Sequence, residues 1–204
     1  MVVDYKPMAV ENIGETNPVR KLMARYRKAV AIKDQWNPTF EDCYEYCLPQ
    51  RESFYSETIG RSRNDRIFDE TAVVGVQEFA SRIQAGIVPN FARWADLIAG
   101  SEIPKDQQKG VNQNLDTVTE YVFEVIQNSN FGQEIHESFM DLAVGTGILL
   151  VQEGNAINPV RFNAIPLPSV MLDTGPDDNI DHVYRERELK YIDIPIAYPK
   201  ANLL

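Results

Sequence analysis

The spacing of apolar residues changes once along this chain, near residue 148, and that change restricts the fold more than any other feature. Before it, apolar positions recur every three to four residues, the period of a helix with one buried face. After it, they run together or alternate, as in strands. A block of helices followed by a block of strands argues against alternating βαβ units. It predicts an α+β fold, mainly helical in its first two thirds, with a small antiparallel β region behind. At 204 residues a chain can bury about 70% of its unfolded surface, so a true core is within reach.

Within the first block, Asn17 and Pro18 suit a helix start, and Val19, Leu22, Met23, Tyr26 and Val30 share one arc. Trp36-Asn37-Pro38 predicts a break, because proline removes a backbone donor and restricts the residue before it. A short helix then starts at Thr39, buries Phe40, Cys43, Tyr44, Cys47 and Leu48, and stops before Pro49. Residues 49–66 form a long loop rich in Arg, Ser, Tyr and Gly. Asp69 caps the next helix, whose arc is Ala72, Val73, Val76, Phe79, Ala80, Ile83 and Ile87, and Pro89 ends it.

Arg93 to Ile98 partly alternates and predicts a strand. Pro104 opens a helix to about Asn128 with a stripe of Val111, Leu115, Val118, Val122, Val125 and Ile126. Phe123 lies off that stripe, which predicts a second buried face and suits an assembly. Asn130, with Gln133 three positions on, predicts a capping box for a helix with an inner stripe of Phe131, Ile135, Phe139 and Leu142, stopped at Gly145.

Ile148 to Val151 is a continuous apolar run suited to a buried strand, and 159–165, 169–173 and 180–188 read as three more. The turn formers of 173–179 join the last two as an antiparallel hairpin. The chain thus divides into an arm over 1–16, a helical region over 17–147, a strand and hairpin region over 148–190, and the start of a downstream region, cut short, over 191–204.

Charge and chemistry narrow the function. Thirty acidic against twenty basic residues give a net charge of −10. That argues against general wrapping of duplex DNA, which depends on neutralising phosphates. The exception is local: Arg20, Lys21, Arg25, Arg27 and Lys28 meet no acidic residue before Asp34. This face reads either as a contact for phosphate or an acidic neighbouring subunit, or as a solvated helix face. Arg61, Arg63 and Arg66 in the long loop carry the same alternatives.

Cys43 and Cys47 stand i,i+4, where side chains project in parallel, so they read as packing thiols rather than a disulfide or half a zinc site. Gly145-Thr146-Gly147 follows a helix instead of preceding one, the reverse of a phosphate cradle, and reads as a helix stop. Asp173, Asp177, Asp178 and Asp181 lack the alternation of a calcium loop and read as a solvated turn. No nucleophile elbow or metal-binding histidine pair occurs, so no enzyme, metal or cofactor is expected. No stretch approaches the roughly 20 apolar residues of a membrane span. The acidic, broken N-terminus does not suit a secretory signal, and the chain reads as intracellular at synthesis.

The order of short sequence features resembles one family. Trp36 is followed by Tyr44, Leu48, Pro49 and Arg51. Next come Ile67-Phe68-Asp69-Glu70-Thr71-Ala72, Phe79-Ala80-Ser81-Arg82-Ile83, Pro89 and Trp94. Ser129-Asn130-Phe131, the run Asp141 to Gly147, Ile165-Pro166 and an acidic turn before Tyr184-Arg185-Glu186 complete the series. Together, over about residues 20–188, these features resemble the portal, or head-to-tail connector, of short-tailed, T7-like bacteriophages.

The resemblance implies one subunit of a ring, usually twelvefold, at a capsid vertex, with this chain supplying the outer wing region. The channel helices, the clip and any barrel would lie downstream. Implied partners are further copies of the chain, major capsid and scaffolding proteins, the terminase packaging motor, a tail adaptor and the double-stranded DNA that passes through, with no membrane. The implied place is the virion, and the host cytoplasm during assembly. No active site comes with the resemblance, since packaging ATPase activity belongs to a separate protein. The motif positions Trp36, Pro49, Asp69, Thr71, Ala72, Pro89, Trp94, Phe131, Gly145, Gly147 and Pro166 read as scaffold: Asp69 as a cap, Ala72 and Ala80 as close-packing sites, Gly145 and Gly147 as stop and turn, Trp94 as an anchor. Residues 192–204 show no clear family feature. Rival readings are another virion component, such as a head-tail adaptor or internal head protein, and a magnesium-dependent DNA-processing enzyme.

Overall fold

A single 30-residue helix, α1 (Pro18–Cys47), runs straight through the expected break, with Pro38 inside it. The computed structural model describes residues 18–51 and 67–199 of the chain. Asn17, the 1–16 arm and the 61–66 arginines lie outside the described residues. An interior proline costs a helix about 3 kcal/mol, so something must hold both halves. Tertiary contacts do so. Ala29 is buried in the first half, and Tyr44 in the second, followed by Leu48 just past the helix end. Asn37 Nδ2 donates to Asp34 Oδ1 at 3.0 Å, beside the turn from which proline removes a donor.

Three further long helices follow among the described residues: α2 (Thr71–Ile87), α3 (Lys105–Gln127) and α4 (Phe131–Val144). α4 is the spine. One of its flanks, with Met140 and Val144, joins Phe40, Tyr44, Leu48, Val76 and Leu167 in one core cluster. The other, with Phe131, Ile135 and Phe139, joins Val88, Ile126, Phe162 and Val160 in a second. The expected stripes hold in their middles and fail at their margins. α2 buries Ala80 and Gln84 while Ala72, Phe79 and Ile87 face solvent, and α4 leaves Leu142 exposed. On α3 the stripe is divided: Val111, Leu115, Val125 and Ile126 are half-buried, Val118 and Val122 are exposed, and Phe123, off the stripe, is buried as the expected second face requires, with Thr119 beside it.

No strand forms at 93–98. That segment lies along α3, and side chains of α3 answer its backbone: Leu97 N–H donates to Thr119 Oγ1 at 3.2 Å and Ala99 N–H to Asn112 Oδ1 at 2.8 Å. An extended backbone whose hydrogen bonds are met by a helix's side chains has no need of a ladder partner.

The strands are β1 (Leu149–Glu153), β2 (Val160–Ala164), β3 (Val170–Thr174) and β4 (Ile180–Arg185), in two separate antiparallel pairs. β1 pairs with β2 from Leu149 opposite Ala164 to Glu153 opposite Val160. β1 is not the buried strand its apolar run suggested, for Val151 is exposed. β3 and β4 form the expected hairpin, with a bulge at Asp173 and Thr174 and Asp178 in the left-handed region at φ 58°, a conformation that Asp tolerates better than most residues. A one-turn helix, α5 (Ile194–Ala197), comes last.

The free edge of β2 is closed by α4. Asn130, expected to cap that helix, instead accepts from Phe162 N–H at 3.0 Å and donates to Phe162 C=O at 2.8 Å, as a neighbouring strand would. Glu134 accepts from Ala164 N–H at 2.6 Å. Sheet edges left unpaired invite aggregation, and the side chains of Asn130, just before α4, and Glu134, on it, blunt this one.

Candidate functional site

The most deeply buried charged group among the described residues is Asp141, on α4, at 0% exposure. Its carboxylate accepts the Tyr44 hydroxyl at 2.8 Å and is bracketed by Arg51, through Nε to Oδ1 at 3.2 Å and through Nη2 to Oδ2. Arg51 Nη1 reaches Glu137 one turn back along α4 at 2.5 Å. Burial works against the Arg51 cation, but the hydrogen bond and charge of Asp141, with Glu137, outweigh it and hold its pKa above the ordinary value. Burial, then the neighbouring carboxylate, push the Tyr44 phenol well above its usual range, so it remains a donor. The cluster ties the end of α1 to α4 at the point where the chain enters 52–66.

A second cluster holds the first half of α1 on the β3–β4 hairpin. Arg25 donates to Asp173 at 2.8 Å through Nε and 2.7 Å through Nη2, stands 4.0 Å from Asp181, and lies 3.3 Å from His182 Nε2. Tyr26 meets Tyr184 edge-on at 5.6 Å and its hydroxyl donates to Glu186. Lys33 donates to the Pro168 carbonyl, and burial lowers its pKa.

A third, aromatic, cluster joins the extended segment to both later helices and to β2. Trp94 meets Phe123 edge-on at 5.2 Å and stacks on Phe131 at 6.2 Å; Phe131 meets Phe162 at 4.9 Å. Such pairs contribute about 0.5–1.5 kcal/mol each beyond burial.

The scaffold positions read from the sequence spread across these clusters rather than converging on one pocket. Trp94 and Phe131 meet directly. Asp69 accepts from both the amide and the hydroxyl of Thr71, at 2.8 and 2.5 Å, which lowers its pKa, although the residue at the cap position is Glu70. Ala72, expected as a close-packing site, is exposed, while Ala80 is fully buried. α4 stops before Gly145. A Cβ on Gly147 would stand 2.5 Å from the Ser138 carbonyl oxygen, so close approach to α4 requires glycine there. Pro49 follows α1 half-buried, Pro89 follows α2 half-buried, Pro166 accepts from Ser169, and Trp36 stacks on Phe40 while remaining largely exposed.

Of the candidate basic contacts, Arg25 is turned inward onto Asp173, whereas Arg20 and Arg27 are exposed. Asp141 and Gln84 were missed as key groups. For Gln84 the signal was a polar residue at the edge of an apolar helical stripe; Asp141 lies off the stripe of Phe131, Ile135, Phe139 and Leu142, and no local signal marks it. Gln84 Nε2 donates to Asn90 Oδ1 and to the Gly132 carbonyl, both at 2.9 Å, and so bridges α2 to α4.

These arrangements hold elements together, and among the described residues no group of three or more His, Cys, Asp or Glu could hold a metal ion. The family model for bacteriophage head to tail connecting protein matches residues 19–203. The chain belongs to that family. The match begins within the first turn of α1 and runs through 192–203, a segment that carries none of the short features of the family series. No curated protein sequence matches the chain significantly. As a head to tail connecting protein, the chain is a structural component of the phage virion at the head-tail junction, where capsid and tail are its partners. Among the described residues no helix is long and apolar enough to cross a membrane.

Proposed function

We propose that this connector protein is a subunit of a portal-type ring at the capsid vertex, through which the phage genome is packaged and ejected. In this reading residues 17–147 and 148–190 form the wing of the subunit, and the ring, of twelve copies by the family's usual count, meets scaffolding protein, terminase motor and tail adaptor as well as capsid. The observation that carries it is the amount of apolar surface the folded chain leaves in water. Among the described residues, large apolar side chains that are exposed outnumber the apolar side chains that are buried, and several share a helix, as Val19, Leu22 and Met23 do on α1 and Val118, Tyr121 and Val122 on α3. A soluble monomer rarely leaves such faces open, whereas a subunit with neighbours on both sides covers them.

The net charge of −10 fits a DNA conduit, because an acidic wall does not retain a duplex through its phosphates. Electron microscopy and native mass spectrometry of the purified chain test the reading: closed rings are expected. A stable monomer would instead favour a head-tail adaptor or another virion component.

A further inference from the structure

The first half of α1 carries two rows of basic side chains on the side turned away from its own fold. At 3.6 residues per turn, successive residues step about 100° around the helix axis. Arg20 and Arg27, seven positions apart, therefore lie within about 20° of each other, as do Lys21 and Lys28, and the two rows stand about 100° apart. Ala24 and Ala31 occupy the strip between them, and all six residues are exposed. The buried Ala29 and the half-buried Tyr26, which meets the hairpin, lie on the opposite side of the helix. Arg25 stands nearer that side and is held by Asp173.

Nothing on the helix balances this face. Residues 18–33 include no acidic side chain, so no i,i+4 pair can form there. Lys21, Arg27 and Lys28 make no ion pair among the described residues. The helix macrodipole adds to the field instead of offsetting it, because its positive end is at Pro18 and no acidic residue occupies the first turn. Basic residues at that end weaken a helix, and a local rule broken without a compensating contact in the fold marks a place that serves something outside it.

We infer that this face takes the phosphate backbone of duplex DNA, without regard to base sequence. A protein partner would need an apolar centre to anchor it, and between the rows there is no apolar side chain larger than alanine. A membrane surface would need apolar side chains to bury as well. Phosphates need only cations, and the release of their counterions drives the contact. The alanine strip leaves room for a backbone ridge to settle between the arginine and lysine rows. With a net charge of −10 on the whole chain, the contact is confined to this face and is weak, which is compatible with a duplex that must pass and not be retained. The inference goes beyond the ring reading and does not depend on it.

Fluorescence anisotropy of a labelled mixed-sequence duplex tests it on the full chain, with folding followed by circular dichroism and assembly by native mass spectrometry. Binding should be measurable at about 50 mM salt and weaken roughly 150-fold by about 200 mM for every four phosphates neutralised. Arg27→Gln with Lys28→Gln removes half of the cations of the face and should reduce the slope of log affinity against log salt by about half. Arg187→Gln with Lys190→Gln, the same change of charge at exposed residues elsewhere, should leave that slope unchanged. Absence of binding at the lower salt, or an equal change in both double variants, would overturn the inference. So would an Arg27 and Lys28 variant that binds the duplex as before but no longer assembles, which would assign the face to an acidic protein surface. Closed rings without affinity for the duplex would sink this inference and leave the ring reading intact, and a monomer that binds the duplex through this face would do the reverse.

Discussion

Two carboxylate–guanidinium pairs fasten the long helix α1, one near each end, and they differ in how far they are removed from water. Arg51 and Asp141 have side chains 13% and 0% exposed, with the Tyr44 hydroxyl and Glu137 completing the shell. Arg25 and Asp173 are 41% and 4% exposed, with His182 and Asp181 alongside. At the first pair neither charge can be rehydrated without opening the core between α1 and α4. At the second, the arginine already has water on one side and can release its partner locally. A buried ion pair is weak evidence of net stability, but loss of one member leaves a charge with nothing to balance it. The first cluster therefore fixes the fold, and the second attaches a hairpin to a fold that is already fixed.

Substitutions can break this contrast. Asp141→Ala strands Arg51 and should cost about 3–5 kcal/mol in urea denaturation, the range for breaking a buried pair; a loss no larger than at an exposed pair would remove the distinction. Tyr44→Phe deletes one hydrogen bond to a buried carboxylate and should cost about 1.5–3 kcal/mol at neutral pH. It should also change the alkaline behaviour. The unfolded chain releases the tyrosine proton near pH 10, whereas the fold keeps Tyr44 protonated to higher pH. The folded state then binds more protons, so stability falls as pH rises above about 10, and the phenylalanine variant should lose that share of the fall.

Arg25→Met should cost less, about 1–2 kcal/mol, because water reaches the pair. Its signature should be faster hydrogen exchange in 170–185, with the α2 and α4 amides unchanged; exchange that rises uniformly would mean that the second cluster is as central as the first. Glu78→Gln, at the exposed i,i+4 pair with Arg82 on α2, should change stability by no more than about 0.5 kcal/mol and sets the baseline for a pair entirely in water.

Most helices and the hairpin could be read from periodicity and turn formers, since these depend on near neighbours. The misreadings share one cause. Pro38 predicts a break because its local effect is unfavourable, yet Ala29 on one side and Tyr44 on the other are buried by distant elements. The 93–98 segment predicts a strand because its residues partly alternate, but Thr119 and Asn112 replace the expected strand partner. On α3 the apolar stripe was real, but apolar residues occupy more than half of the helix circumference near its end, and period alone does not say which arc faces the core.

The amino-acid sequence by itself determined the α+β order, the hairpin and the likeness to phage connectors, because each is written in residues close together or in a series of short features. The tertiary structure alone decided that α1 is continuous, that Asn130 and Glu134 serve as the edge partner of β2, and that Arg51 and Asp141, 90 positions apart, share one buried site. Those outcomes depend on which distant groups reach one another, and a polar group sealed from water must take the partner that the fold supplies.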